Sequence, residues 1–372
     1  MKLHFISFDI PAPPDYGGIV DVFYKIRNLC EAGVKIYLHC YAYGRPEAPE
    51  LEQYCEAVYY YPRKTGWKGL SLLYPYMMYS RRDKALLENL VRIDAPVLFE
   101  GVHTAYYLGH PALAGRRKVL RNQNLEQEYF GLLAQRSTGL FKKLYYRVES
   151  WLLKRAESRL QAADVFMTVA EHDHDFFKAL YPGKQHEYIP SFQPYNDIAV
   201  LPGQGTYCLY HGNLGHPENE EAALFLLQNV CPHTPVSFVF AGKDPSPTLQ
   251  QACARLDNCS LVANPAPEEM AALVGNAQVH LLPTFQPTGL KLKLLHALFH
   301  GRHVIVNSDM VRGTGLAALC HVAADAADFC KKTEALMALP FGEKEISARR
   351  TLLLERYDNR KNAQRIITCL RS

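Results

Sequence analysis

The sequence predicts an α/β protein of two Rossmann-like, doubly wound domains facing a cleft, and three observations predict it. Strand-like apolar runs alternate with helix-like amphipathic stretches over most of the chain. An aperiodic stretch rich in Pro, Gly and polar residues, "IPSFQPYNDIAVLPGQG" (189–205), interrupts the alternation once, after which it restarts. The length of 372 residues suits two domains, at roughly 100–200 residues each.

In chain order, "KLHFISF" (2–8) is an apolar strand and "DIPAPPDYGG" the loop after it. "IVDVFYKIRNLCEAG" (19–33) carries apolar residues at helical spacing and ends on a C-cap glycine. "VKIYLHCYAY", "AVYYYP" (57–62), "APVLFEG" (95–101), "RKVLRN" (117–122) and "DVFMTVAE" (164–171) are the further strands of the first half. In the second half the strands are "TYCLYHG" (206–212), "VSFVFAG" (236–242), "CSLVAN" (259–264), "AQVHLLP" (277–283) and "RHVIVN" (302–307). "PENEEAALFLLQNV" (217–230) is a helix with acidic residues in its first turn, where the dipole favours them. "EKEISARRTLLLERYDNRKNAQRIITCL" (343–370) reads as a long, polar-faced terminal helix, with a break in it left open. The expected boundaries are a first domain over 1–192, a linker over 193–205, a second domain over 206–342 and the terminal helix over 343–372.

Hydrophobic residues make up 48% and charged residues 21%, enough for two ordinary cores. The formal net charge of +4 is too small to argue for nucleic acid as the ligand. The ten cysteines are scattered, with no CxxC, and read as free thiols of a reducing cytoplasm. "MKLHFISFDI" is too short and too strand-like for a signal peptide, and no apolar run reaches the ~18 residues of a membrane span.

The chemistry concentrates near the end. "PTGLKLKLLHALFHG" (287–301) opens an amphipathic helix with Thr288 as cap and Leu290, Leu294, Leu295, Leu298 and Phe299 as its apolar stripe. Lys291 and Lys293 lie in its opening turns, where each cation is misplaced against the helix dipole by about 0.3–1 kcal/mol. Cations at a helix N-terminus point to an anion, most simply a phosphate. In doubly wound sheets, ligands sit beyond the carboxyl ends of strands. Three loops of the second half lie there: "YHGNLG" (210–215), "AGKDPS" (241–246) with Lys243, and "TFQPTGLKLK" (284–293). Gly289 lets a phosphate approach backbone amides, while Lys243 and Lys291 supply charge; Lys293, about 200° further round the helix than Lys291, is the weaker candidate. The bland alternative is two solvated lysines and an ordinary glycine. In the first half, Gly17 and Gly18 stand between the first strand and first helix; without GxGxxG they are a ligand loop or a plain tight turn. His296 and His300 are i, i+4, but no third metal ligand can be named. His172 and His174 in "EHDHD" lie at a helix start whose acidic residues suit a first turn.

"TGLKLKLLHALFHGRHVIVN", with "YHGNLGHPENEEA", "RNQNLEQEYFGLLA" (121–134) and the early Gly-Gly, resembles the GT-B glycosyltransferases of the family-4, bacterial group 1 type. The resemblance runs in matching order from about residue 3 to 310. It implies an acceptor-side N-terminal domain, a nucleotide-sugar-binding C-terminal domain and a terminal helix crossing back to the first. It also implies transfer of a sugar to an acceptor hydroxyl with retained configuration, no metal, and no cofactor beyond the nucleoside-diphosphate sugar as donor substrate. On that pattern Gly212, Asn213, Lys243, Thr288, Gly289, Leu290 and Lys291 hold the donor, His296 the ribose, and Gly17 and Gly18 the crevice loop. His103, in "FEGVHTAYYLGH", and Gln123 are the candidates on the sugar and acceptor side.

The sequence departs from the family at several of these positions. Two glutamates eight apart become Thr288 and His296, a histidine becomes Gln123, and Asn213 stands near a customary arginine. Lys243 and Lys291 would replace that lost charge. Two alternatives therefore stay open: a catalytically silent relative that binds a nucleotide-sugar or a partner protein, and a nucleotide-sugar epimerase of similar fold. Residues 116–159 hold eleven Lys/Arg against four Glu, interleaved with Phe141, Leu144, Tyr145, Tyr146, Trp151 and Leu152. In the family such a surface implies a glycan or lipid-linked acceptor and peripheral contact with an anionic inner membrane face, the alternative being a solvated helical face.

Overall fold

The computed structural model describes residues 1–137, 139–286 and 291–371. The chain forms two compact units. The first comprises 1–194 with 357–371, the second 195–286 with 291–356.

The first unit is built on seven parallel strands: β1 (Lys2–Ser7), β2 (Lys35–Ala42), β3 (Ala57–Pro62), β4 (Val97–Glu100), β5 (Lys118–Asn122), β6 (Val165–Thr168) and β7 (Gln185–Tyr188). Their order is β3-β2-β1-β4-β5-β6-β7. The sheet is covered on both faces, so its central strands are apolar on both sides rather than alternating. Leu3 and Phe5 of β1 pack with Ile26 and Leu29 of the helix Gly17–Glu31 and with Ile366 and Leu370 near the C-terminus. Ile6 of β1 joins Phe99, Leu120 and Phe166 against Leu153 and Leu160 of the helix Leu140–Leu160. Two histidines buried in this sheet are paired: His4 Nδ1 lies 2.9 Å from His39 Nε2, whose Nδ1 is 2.8 Å from the Tyr61 hydroxyl.

The second unit carries six strands: β8 (Cys208–Asn213), β9 (Phe238–Lys243), β10 (Cys259–Ala263), β11 (Val279–Leu282), β12 (His303–Val306) and β13 (His321–Val322). They pair in parallel in the order β10-β9-β8-β11-β12-β13. In each sheet the winding reverses at one place, between β1 and β4 and between β8 and β11. The carboxyl ends of those pairs are where a doubly wound sheet leaves a crevice for ligand.

The terminal segment is two helices, not one. Glu343–Arg356 belongs to the second unit, where Arg349 donates to the Leu298, Gly301 and Arg302 carbonyls. Asn359–Arg371 belongs to the first unit. There Arg117 donates to the Cys369 carbonyl at 3.0 Å and Arg365 pairs with Glu187 at 3.1 Å. Asn359 Nδ2 donates to the Gln193 carbonyl at 2.7 Å and anchors the turn between them. The polar, half-buried β7 and the two-residue, exposed β13 have no counterpart among the sequence-predicted strands.

Candidate functional site

In the second unit, β8 and β9 run side by side with Gly212 opposite Gly242 and Asn213 opposite Lys243. A Cβ on Gly242 would lie 1.7 Å from the Gly212 carbonyl oxygen, a backbone atom with no room to give. The Gly242→Ala variant should therefore lose stability by about 1–3 kcal/mol or more, as overpacking does. Thermal unfolding checks this, and a melting temperature within 1 °C (about 0.3 kcal/mol or less) of the parent would contradict the close approach.

The helix after β8, Pro217–Asn229, brings Asn219 back to the strand end. Asn219 Nδ2 donates to the Asn213 carbonyl at 2.8 Å, and its Oδ1 accepts from Lys293 Nζ at 2.9 Å. Lys293 also donates to the Tyr210 hydroxyl at 3.2 Å and lies 4.9 Å from the ring centre. Lys293, the weaker candidate by helical angle, is thus joined to the strand end bearing Gly212 and Asn213. The described helix runs Leu292–His300 with Lys291 at its N-cap and no side-chain cap hydrogen bond. Thr288, Gly289 and Leu290, expected as cap, phosphate turn and donor contact, lie outside the described residues.

The electrostatics are those of crowded cations. Burial pushes the Lys293 ammonium down to about 7, the neighbouring Lys291 pushes the same way, and Glu218 opposes them. Lys291 is lowered by burial too, with Glu218 and Asp309 offsetting part of it. Both acceptors recorded for Lys293 are uncharged, so desolvation and mutual repulsion are only partly relieved within the protein. Lys243 is exposed at the end of β9.

His296 stacks on Tyr195, ring centres 5.3 Å apart, and meets His211 edge-on at 5.4 Å. Burial, then His300, drives its pKa down to about 4, so the ring is neutral and offers one donor and one acceptor. His296 and His300 lie edge to face at 5.4 Å. Among the described residues no group of three or more His, Cys, Asp or Glu is placed to hold a metal ion.

In the first unit, Gly17 and Gly18 open the helix Gly17–Glu31, whose N-cap residue Tyr16 makes no side-chain cap bond. A Cβ on Gly18 would meet Gln123 Oε1 at 2.8 Å and Phe8 at 3.1 Å. Gln123 Nε2 donates to the Gly18 carbonyl at 3.4 Å and to Asp21 at 3.3 Å. His103 follows β4 beyond Gly101, which holds φ at +72°. The imidazole packs on Phe8 at 5.4 Å, so Phe8 touches both halves of this edge. Burial first, then the Arg81 and Arg63 charges, keep His103 neutral, and its buried Nδ1 has no hydrogen-bond partner among the described residues.

Beneath these residues lies a network the sequence reading did not single out. Lys25 Nζ pairs with Asp21 at 2.8 Å and with Glu100 at 2.6 Å, and Arg121 pairs with Asp21 at 3.1 Å. All four side chains are at most 2% exposed. The same Asp21 oxygen accepts from Lys25 and Gln123, so the network sets the glutamine's position. The signal available was the i, i+4 Asp21–Lys25 pair on a helix face of otherwise apolar residues. Nearby, burial lifts the Glu126 carboxyl to about 7 against its bond to Asn124.

Two parallel sheets of this strand order, with polar groups gathered at their switch-point edges, define a protein of two doubly wound α/β units. Known proteins agree. Residues 205–338 match the family described as glycosyl transferases group 1. The chain is 25% identical over 335 residues to an uncharacterized 44.6 kDa protein in the cps region of Klebsiella pneumoniae, covering 84% of each. Its structure resembles TarM (TM-score 0.69, 8% identity, 100% of this chain and 99% of that one). It also resembles WaaG, a glycosyltransferase involved in lipopolysaccharide biosynthesis (0.66, 12%, 99% and 99%). Anabaena Alr3699/HepE in complex with UDP and glucose aligns with TM-score 0.63 and 14% identity over 100% of this chain and 99% of that one. The chain has the two-domain α/β fold of these glycosyltransferases, and its second unit carries the segment that matches the group 1 glycosyl transferases.

Proposed function

We propose that the second unit holds a nucleoside-diphosphate sugar with its diphosphate at Lys291, Lys293 and Lys243, and that the sugar passes to an acceptor hydroxyl of a glycan or lipid-linked sugar. The crowded pair Lys291 and Lys293 carries this reading: two desolvated ammonium groups at a helix N-terminus are stabilised by the anion that the leaving group becomes. Gly212 and Asn213 line the same edge, and Thr288, Gly289 and Leu290 are assigned to the donor on the sequence pattern and family resemblance alone. Neutral His296 hydrogen-bonds the ribose hydroxyls. The HepE complex contains UDP, which makes UDP the first nucleotide to test. The transfer is retaining and metal-independent, with lysines and helix amides taking the part a divalent cation would otherwise take. The replaced family residues kept a silent relative and an epimerase open, but neither the fold nor the similar proteins support either over transfer.

On the acceptor side, Gly17 and Gly18 form the crevice loop while His103 and Gln123 contact the transferred sugar or acceptor. The relative in a cps region supports a place in polysaccharide biosynthesis. The helix Leu140–Leu160 exposes Leu140 and Phe141 by 84% and 91%, beside Lys142, Lys143 and Arg147. A surface of that kind suits peripheral contact with anionic lipid at the cytoplasmic face. No described helix is long and apolar enough to cross a membrane.

The Lys293 ammonium supplies a pH test. Its pKa of about 7 in the empty site rises when a diphosphate binds, so binding takes up a proton. UDP affinity should fall as pH rises from 7 to 9, by up to about tenfold per unit. Calorimetric titration across that range measures it. The slope should vanish in Lys293→Met, and a flat profile in the parent would remove Lys293 from the site.

A further inference from the structure

The first unit has a second concave site that the transfer reading does not use. It is a cavity of 570 Å³ lined by Tyr74, Tyr106, Tyr107, His110, Arg159 and Gln161 among others. Its lining includes neither His103 nor Gln123, and neither Gly17 nor Gly18. The volume falls within the roughly 300–1,000 Å³ usual for ligand sites.

Its chemistry is specific. The tyrosines form a continuous aromatic floor: Tyr74 lies 5.1 Å from Tyr106, Tyr106 packs edge-on against Tyr107 at 4.9 Å, and Tyr107 against His110 at 5.8 Å. The Arg159 guanidinium stacks 3.8 Å over Tyr74. Among the described residues that guanidinium has no ion pair and donates no hydrogen bond, so its five N–H donors are available. No carboxylate lines the cavity, while Ser158, Gln161 and the tyrosine hydroxyls supply neutral hydrogen-bonding groups. Aromatic faces receive the C–H faces of pyranose rings, neutral polar groups receive their hydroxyls, and a stacked, unpaired arginine receives a carboxylate in its planar fork.

We propose that this cavity binds a segment of an acidic glycan, a reading that rests on the function above only in taking the acceptor to be a glycan chain. It holds sugar residues remote from the one that accepts the transferred group, so it raises affinity for long acceptors without touching the donor. Arginine fixes the sign of the ligand's charge, and the tyrosine floor selects sugar rings over a bare anion.

The full chain is titrated by calorimetry with tetragalacturonate, with the neutral maltotetraose and with glycerophosphoglycerol, and separately with UDP. Tetragalacturonate should bind at least tenfold more tightly than either other probe. Arg159→Gln should weaken it at least tenfold, and Tyr106→Leu, which keeps the apolar volume but removes the flat ring, should weaken it several-fold. UDP affinity should be unchanged in both variants, and a parental circular dichroism spectrum and melting temperature show that the first unit, where both changes lie, is folded. Tetragalacturonate failing to bind while UDP binds would overturn the assignment and leave the transferase reading standing. Equal binding of maltotetraose would overturn its acidic specificity, and preferential binding of glycerophosphoglycerol would reassign the cavity to a lipid headgroup. If UDP fails but tetragalacturonate binds in an Arg159-dependent way, the donor reading fails and the glycan site stands.

Discussion

Replacing Lys291 by alanine should weaken UDP binding by about ten- to a hundredfold. The size follows from the interaction lost: a hydrogen bond to a charged group contributes about 1.5–3 kcal/mol, and each 1.4 kcal/mol is tenfold in affinity. Stability should not suffer with it. Lys291 is half-buried and its pKa is lowered because the folded protein is a poor place for its charge. Removing a cation from beside Lys293 also relieves repulsion that pushes the latter's pKa down. The melting temperature of the empty variant should therefore match or exceed that of the parent, while the increase caused by saturating UDP shrinks. Lys243→Ala is the control: an exposed cation in high dielectric contributes little, so a loss of several-fold at most is expected. Calorimetry and thermal shift on the three proteins decide it. An affinity for UDP unaltered in Lys291→Ala would move the diphosphate elsewhere and take the transfer reading with it.

How far this site was legible in the sequence depends on what each residue's role required. Doubly wound topology follows from local patterns, because strands buried on both faces read as apolar runs and their crossover helices as periodic ones. β7, "QHEY", escaped because an edge strand is half-buried and polar, and β13 because two exposed residues carry no period. Lys291 was legible as a cation at the wrong end of a helix. Lys293 was discounted on helical angle, yet it reaches Asn219 and Tyr210, which come from a strand and helix some 75–85 residues earlier. A long, flexible side chain can cross that gap, and helical angle alone does not register it. Gln123 was found through the family resemblance, whereas the charges that hold it were not. Asp21, Lys25, Glu100 and Arg121 are each ordinary in sequence, and only the pairing of β1, β4 and β5 buries them together.

That buried quartet carries the largest effect on stability. Lys25→Met removes one of two cations and leaves Asp21 and Glu100 facing Arg121 alone, out of water. Breaking a buried ion pair by deleting one partner costs about 3–5 kcal/mol, chiefly because the remaining charge is uncompensated. Glu100 is the weak member: burial holds its pKa above the usual carboxylate value, with Lys25 the largest opposing influence, and its Oε2 has no hydrogen-bond partner among the described residues. Without Lys25 that carboxyl should rise further and take up a proton. A folded pKa above the unfolded one gives stability that is present in acid and lost as pH rises through the folded pKa. The Lys25→Met protein should thus recover stability as pH falls towards 5, within the range its other carboxylates tolerate. Adding Glu100→Gln should recover at least half of the loss at pH 7.5, because the neutral amide needs no counter-charge. Urea unfolding followed by circular dichroism measures both. UDP affinity at low urea shows that the second unit, where the lysines lie, is still folded. A loss below about 1 kcal/mol for Lys25→Met, the range of an exposed pair, would mean that water reaches the quartet and that Gln123 is not held by it.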